Sequence, residues 1–286
     1  MPKPIGAIDH LLTYVDDLEG AATLFRRMGF TLSPVSHIAA MGISNYLVLM
    51  TPVKSGFANF IELMGIQDRT KLPAQMRPLL SGPQAIKSMV LAASDIQTAH
   101  HAIAGEGFNV SSPVHVKREW VVGPGESVFP EFDVILPFSA PLTFNCCRYF
   151  NVELYLRPEW LVHANTAKGI RSVLAIAKDP AALVKTFAAI FSEPLSEASG
   201  MARVMSGGVE LVILSPDAAK NRFGIDCVPD EEATYLGYVI EVESLDALVS
   251  SLSSGSIPYR RDGGTVYVHP DVGLGNLMIF REQSDF

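Results

Sequence analysis

Apolar positions along this chain follow two rhythms, alternation over short runs and three-to-four spacing over longer ones, and the order of the two repeats. Residues 8–15 alternate as a strand. Asp16 or Asp17 then caps a helix running to Met28, with Leu18, Ala22 and Phe25 on one face. Gly29-Phe30 ends that helix and opens a second strand. The same order returns at residues 88–92, with Ser94 or Asp95 as cap, Ile96, Ala99 and Ile103 as the helical stripe, and Gly107-Phe108 as the exit. It returns again at 170–177, where Asp179-Pro180 opens a helix carrying Leu183, Phe187 and Ile190. A fourth copy has 237–242, then Ser244 capping a helix with Leu245, Leu248, Val249 and Leu252.

About three short apolar runs follow each helix and read as strands. In the first copy these are 31–37, 45–49 and 59–63; in the last they lie near Tyr259, at 265–268 and at 276–280. The unit is therefore βαβββ, repeated four times over residues 5–64, 85–148, 169–214 and 235–282. Less regular stretches at 65–83, 150–168 and 215–234 join the units. The middle one, containing Arg157-Pro158-Glu159-Trp160, is the expected boundary between domains 1–150 and 151–286. At its length it should pack on a domain surface.

Composition narrows the class. The chain has 286 residues, 48% hydrophobic and 18% charged, which suits two packed domains. A net charge of −8 argues against a nucleic-acid partner. No apolar run approaches the roughly 18 residues a spanning helix needs, and no leader pattern opens the sequence, so no membrane partner is expected. Cys146, Cys147 and Cys227 form neither a disulfide framework nor a zinc spacing, and they fit a reducing cytoplasm.

Four βαβββ units resemble the vicinal-oxygen-chelate superfamily, which includes glyoxalases, bleomycin-resistance proteins and extradiol dioxygenases. The first unit is similar to its glyoxalase-like branch: Asp9-His10, Val15-Asp16-Asp17-Leu18, His37, Gly42-Ile43-Ser44-Asn45 and Glu62-Leu63 follow that pattern in order. The resemblance implies an α+β fold of four βαβββ modules forming two cupped half-barrel domains, with the substrate in a cup. It also implies metal ligands from a His on a module's first strand and a Glu on its last. His10 and Glu62 fall there. Strand alternation puts His10 on one face with Ile8, Leu12 and Tyr14, and Glu62 with Phe60 and Met64. A buried imidazole and carboxylate are either paired or metal-bound, and both readings stand.

A divalent zinc, iron or manganese would want at least three protein ligands. The second module offers only Ser88 and Asn145 at the matching positions, the third Ser172 and Glu210, and the fourth Gly237 and Met278. His37 and His163 are the expected completing ligands, while Asn45, Ser88, Asn145 and Arg118 are expected to touch substrate. Arg118-Glu119-Trp120, read as part of a strand, could present a cation and an aromatic ring to an anionic substrate. Two functions follow. One is a metal-dependent enzyme of lyase, isomerase or dioxygenase type on a small oxygen-bearing substrate, with Glu62 moving the proton. The other is a metal-free small-molecule binding protein of the bleomycin-resistance type. The second half is expected to shape or cover the working cup and to support a homodimer.

Overall fold

The structure is a computed structural model that describes residues 3–229 and 231–283. The first module comprises β1 (Ala7–Tyr14), α1 (Leu18–Arg27), β2 (Ser36–Ile38), β3 (Ile43–Leu49) and β4 (Phe60–Ile66). A short α2 (Met76–Leu79) leads to β5 (Ala85–Ala92), α3 (Ile96–Gly105), β6 (Val114–Lys117), the hairpin β7 (Trp120–Gly123) and β8 (Glu126–Val128), then β9 (Glu131–Ile135) and β10 (Phe144–Tyr149). A 3-10 turn (Val152–Tyr155) and α4 (Pro158–Leu161) connect to the second half. There β11 (Ala167–Ala177), α5 (Pro180–Phe191), β12 (Leu195–Ala198), β13 (Met201–Ser206) and β14 (Val209–Leu214) form the third module. After α6 (Pro216–Phe223), the fourth comprises β15 (Ala233–Val242), α7 (Leu245–Ser254), β16 (Arg260–Asp262), β17 (Thr265–Val268) and β18 (Leu277–Glu282).

Two eight-stranded sheets result, in the orders β2-β3-β4-β1-β5-β10-β9-β6 and β12-β13-β14-β11-β15-β18-β17-β16. Each is two modules joined by antiparallel pairing of their first strands, β1 with β5 and β11 with β15. The first module therefore pairs with the second and the third with the fourth. The β7–β8 hairpin stands apart from both sheets. Arg118 and Glu119 thus lie between strands, not on one, and only Trp120 opens β7.

The local chemistry explains the helices. Asp17, Asp95, Asp179 and Ser244 each accept a backbone N–H of the first turn, which satisfies a donor the helix leaves unpaired. Gly29 and Gly107 leave α1 and α3 at φ +87° and +86°, the left-handed region where glycine has no Cβ penalty.

One continuous core lies on the helix side of both sheets, joining Leu11, Ile61, Phe25 and Met89 of the first half to Val173, Phe187, Tyr238 and Leu248 of the second. The concave faces belong to separate apolar clusters and look away from this core. Among the described residues no helix is long and apolar enough to cross a membrane.

Candidate functional site

The first cup encloses a cavity of about 280 Å³ to which all eight strands of its sheet contribute. Its walls are mainly apolar: Leu12, Leu47, Phe60 and Val90 at the centre, with Met41, Met64 and Met76 at the α2 end. His10 and Glu62 form its polar floor, both nearly buried.

A bulge builds this floor. Ile8 pairs with Leu91 and His10 with Val90, so Asp9 is an extra residue on β1. Ile8 consequently belongs to the helix-side core and does not share a face with His10, because the bulge breaks strict alternation there. The same distortion lets Asp9 reach its neighbour: His10 Nδ1 lies 2.7 Å from Asp9 Oδ1. Asp9 also accepts from the Tyr149 hydroxyl at 2.9 Å and the Ala58 N–H at 2.9 Å. With Nδ1–H given to Asp9, His10 keeps its Nε2 lone pair for the cup. The ring stacks on Phe60, centroids 4.0 Å apart.

Glu62 Oε2 is 3.7 Å from His10 Nε2, too long for a hydrogen bond and wide enough for a bridging atom. The other Glu62 oxygen accepts from Asn45 Nδ2. Register places Ser88 and Asn145 of the second module opposite the His10–Glu62 pair: Leu12 faces Ser88 and Glu62, while Val90 faces His10 and Asn145. Ser88 donates to Asn145 Oδ1 at 2.6 Å, which commits that oxygen and leaves the amide N–H₂ as a donor. Asn145 lines the cavity and Ser88 is wholly buried behind it.

The two expected completing ligands are elsewhere. His37 is exposed on the outer face of β2, bonded to Ser44 Oγ at 2.8 Å, because alternation turns its neighbour Ile38 into the cup. His163 is buried at the junction of the halves, where Nδ1 accepts the Thr31 N–H at 3.0 Å and Nε2–H donates to Leu49 O at 2.9 Å. With both nitrogens committed to backbone, and burial holding its pKa down at about 4, it is a neutral strut.

The donors present do not fit a resident zinc, iron or manganese ion. Two strong ligands face the cup, and the remaining pair is a hydroxyl bonded to an amide. Among the described residues no cluster of three His, Cys, Asp or Glu side chains is placed to hold a metal. Cys147, Tyr149 and Tyr155 also line the cavity, and burial pushes all three up, so they stay protonated. The aromatic roof was not legible beforehand. Tyr155 comes from the connector turn and Trp160 from α4, packed with Leu49, Phe60 and Trp120.

A family model described as a glyoxalase-like domain matches residues 8–191. The chain belongs to the glyoxalase-like family of the vicinal-oxygen-chelate superfamily. The match spans the first sheet and continues through β11 and α5. No curated protein matches the sequence. Solved structures share the fold at low identity. A hypothetical protein from Staphylococcus aureus is 13% identical with TM-score 0.67, covering 96% of this chain and 98% of that one. A variant of 4-hydroxymandelate synthase from Streptomyces coelicolor is 12% identical with TM-score 0.64, covering 98% and 93%. The Mn(II)-bound glyoxalase from Novosphingobium aromaticivorans is 13% identical with TM-score 0.58, covering 99% and 83%. At these identities the likeness is one of fold.

Proposed function

We propose that this glyoxalase-like protein binds a small, mainly apolar molecule in its first cup and does so without a resident metal. The observation that carries the reading is the floor of the cavity: an Asp9-held His10 and Glu62 lie under apolar walls, and the opposite pair, Ser88 and Asn145, is locked in its own bond. A ligand bearing a hydroxyl, enol or N–H would be oriented by His10 Nε2 and Glu62, both of which accept. Because Asp9 fixes the imidazole tautomer, His10 is also placed to take a proton from such a group.

A metal-dependent lyase, isomerase or dioxygenase is the second reading. It is favoured by Asp9 itself, since a carboxylate on Nδ1 is the partner that metal-binding imidazoles commonly have. Elemental analysis of protein purified without a His tag separates the two. Substoichiometric metal, and ligand binding that survives chelator treatment, are expected. One equivalent of zinc, iron or manganese that survives gel filtration and is lost in His10→Ala would overturn the metal-free reading.

A further inference from the structure

Apart from His10, Arg118 is the one basic side chain among the described residues lining the first cup. Several arginines of this acidic chain meet carboxylates, as Arg157 does with Glu126, Arg171 with Glu241 and Arg261 with Asp246. Among the described residues no carboxylate lies within ion-pair range of Arg118. Its Nη1 donates to Ser36 Oγ, its backbone N–H is held by Pro130 O at 3.1 Å, and its guanidinium sits 5.9 Å from the Trp120 ring centre. Trp120 is itself fixed, 1% exposed, with Nε1–H donating to Pro34 O. The guanidinium is thus oriented in advance, with fork donors left over for an anion.

Tyr155 stands near it on the cavity wall. Its ring lies 5.9 Å from that of Trp120, the ring the Arg118 guanidinium also approaches; burial pushes its phenol pKa up and the Arg118 charge pulls it partly back. Among the described residues the Tyr155 hydroxyl has no hydrogen-bond partner. Its ring stacks on Phe60 at 6.2 Å, and Phe60 stacks on His10, so one aromatic row runs from this end of the cavity to the polar floor.

We propose that Arg118 and Tyr155 form a carboxylate anchor, and that the first cup takes monoanionic carboxylic acids bearing a single ring or short branched chain laid along Phe60. The proposal rests on the reading of that cup as the ligand site and names what enters it. A guanidinium fork suits carboxylate and phosphate alike. The Glu62 carboxylate on the floor and the mainly apolar walls work against a second negative charge on the ligand. The cavity also lies at the small end of the roughly 300–1,000 Å³ typical of ligand sites.

Isothermal titration of chelator-treated protein with 3-phenylpropionate, 3-phenylpropanamide and 2-phenylethylphosphonate tests it. The acid is expected to bind about tenfold or more tighter than the amide and tighter than the phosphonate. Arg118→Gln should shrink the acid's advantage to about twofold or less while leaving amide affinity in place. Arg118→Lys should fall between, and Tyr155→Phe should weaken the acid alone. Melting curves confirm that each variant folds. Equal affinity of acid and amide, or no binding by any of the three, overturns the anchor. Val116→Trp, which fills the cup from β6, separates this failure from failure of the site. If acid and amide bind equally and both are blocked by that change, the ligand site stands and the anchor falls. If binding is indifferent to it, the site itself is wrong.

Discussion

The two cups share strand order, module pairing and two of their irregularities, yet among the described residues only the first sets an imidazole beside a carboxylate at its centre. Both central pairs are bulged at two equivalent places, leaving Asp9 and Lys87 extra in the first sheet and Arg171 and Leu236 in the second, which has a further bulge at Lys168. The positions equivalent by register to His10, Glu62, Ser88 and Asn145 are Ser172, Val212, Gly237 and Ile279. Where Asp9 steadies an imidazole, Arg171 instead pairs with Glu241 at 2.6 Å. Gly237 leaves no room for a ligand side chain at all, since a Cβ there would lie 1.9 Å from Leu277 O. The coverings differ as well. The connectors around the first cup leave a cavity between α2 and Tyr155, whereas α6 and the chain after it pack Ala219, Phe223 and Ile225 against Leu174, Val212 and Ile279. The fold supplies a cup twice; a few side chains and the path of one connector decide which keeps an open cavity.

The largest way to break this contrast is Asp9→Ala. It strands His10, Tyr149 and the Ala58 N–H together, and urea unfolding should show a loss of about 3–5 kcal/mol. A loss near zero would mean the bulge holds nothing in place. Next, Ile279→Ala in the packed second cup should cost about 2–5 kcal/mol, against about 1 kcal/mol for Asn145→Ala at the matching cavity-lining position. Equal costs in chemical denaturation would show the second cup to be no better filled than the first.

The junction between the two halves carries a pH signature of its own. His163 is neutral in the fold, with its pKa at about 4 against 6.5 unfolded, so the unfolded chain binds the extra proton between those values. Its contribution is complete above pH 6.5 and is lost as pH falls toward 4, on the order of 3 kcal/mol in all. Melting temperature followed across that window should drop more steeply in the wild type than in His163→Gln; parallel curves would contradict the assignment. Smallest of all, His37→Ala should change stability by about 0.5 kcal/mol or less and leave ligand binding untouched. A clear binding loss there would return His37 to the site.

The fold was legible because each module writes its boundaries locally. The four caps and the two Gly-Phe exits are short-range signals, and the apolar stripes of α1, α3, α5 and α7 match the buried positions. The floor was legible in part. His10 and Glu62 follow from strand position, and Arg118 could be read as a cation for an anionic substrate. The role of Asp9 was not legible, since alternation puts neighbours on opposite faces and a bulge leaves no mark in composition. Register also moved the last strand of the fourth module by one residue: Met278 packs into the helix-side core and Ile279 faces the cup. The residues at 31–35, expected as strand, are held by scattered bonds such as Ser33 N–H to Leu47 O instead of a ladder. Tyr155 and Trp160 lie in a connector whose path depends on contacts far along the chain.

Methyl NMR of methionine-labelled, chelator-treated protein tests the central claim most directly, because Met41, Met64 and Met76 line the first cup and Met201 packs against the second cup's cluster. On titration with small ring compounds, acids and neutral analogues together, shifts are expected at the first three methyls, with Met201 still and no metal added. Shifts at Met201 alone, or shifts at the first cup that appear only after Zn²⁺ is supplied, would contradict a metal-free ligand site in the first cup.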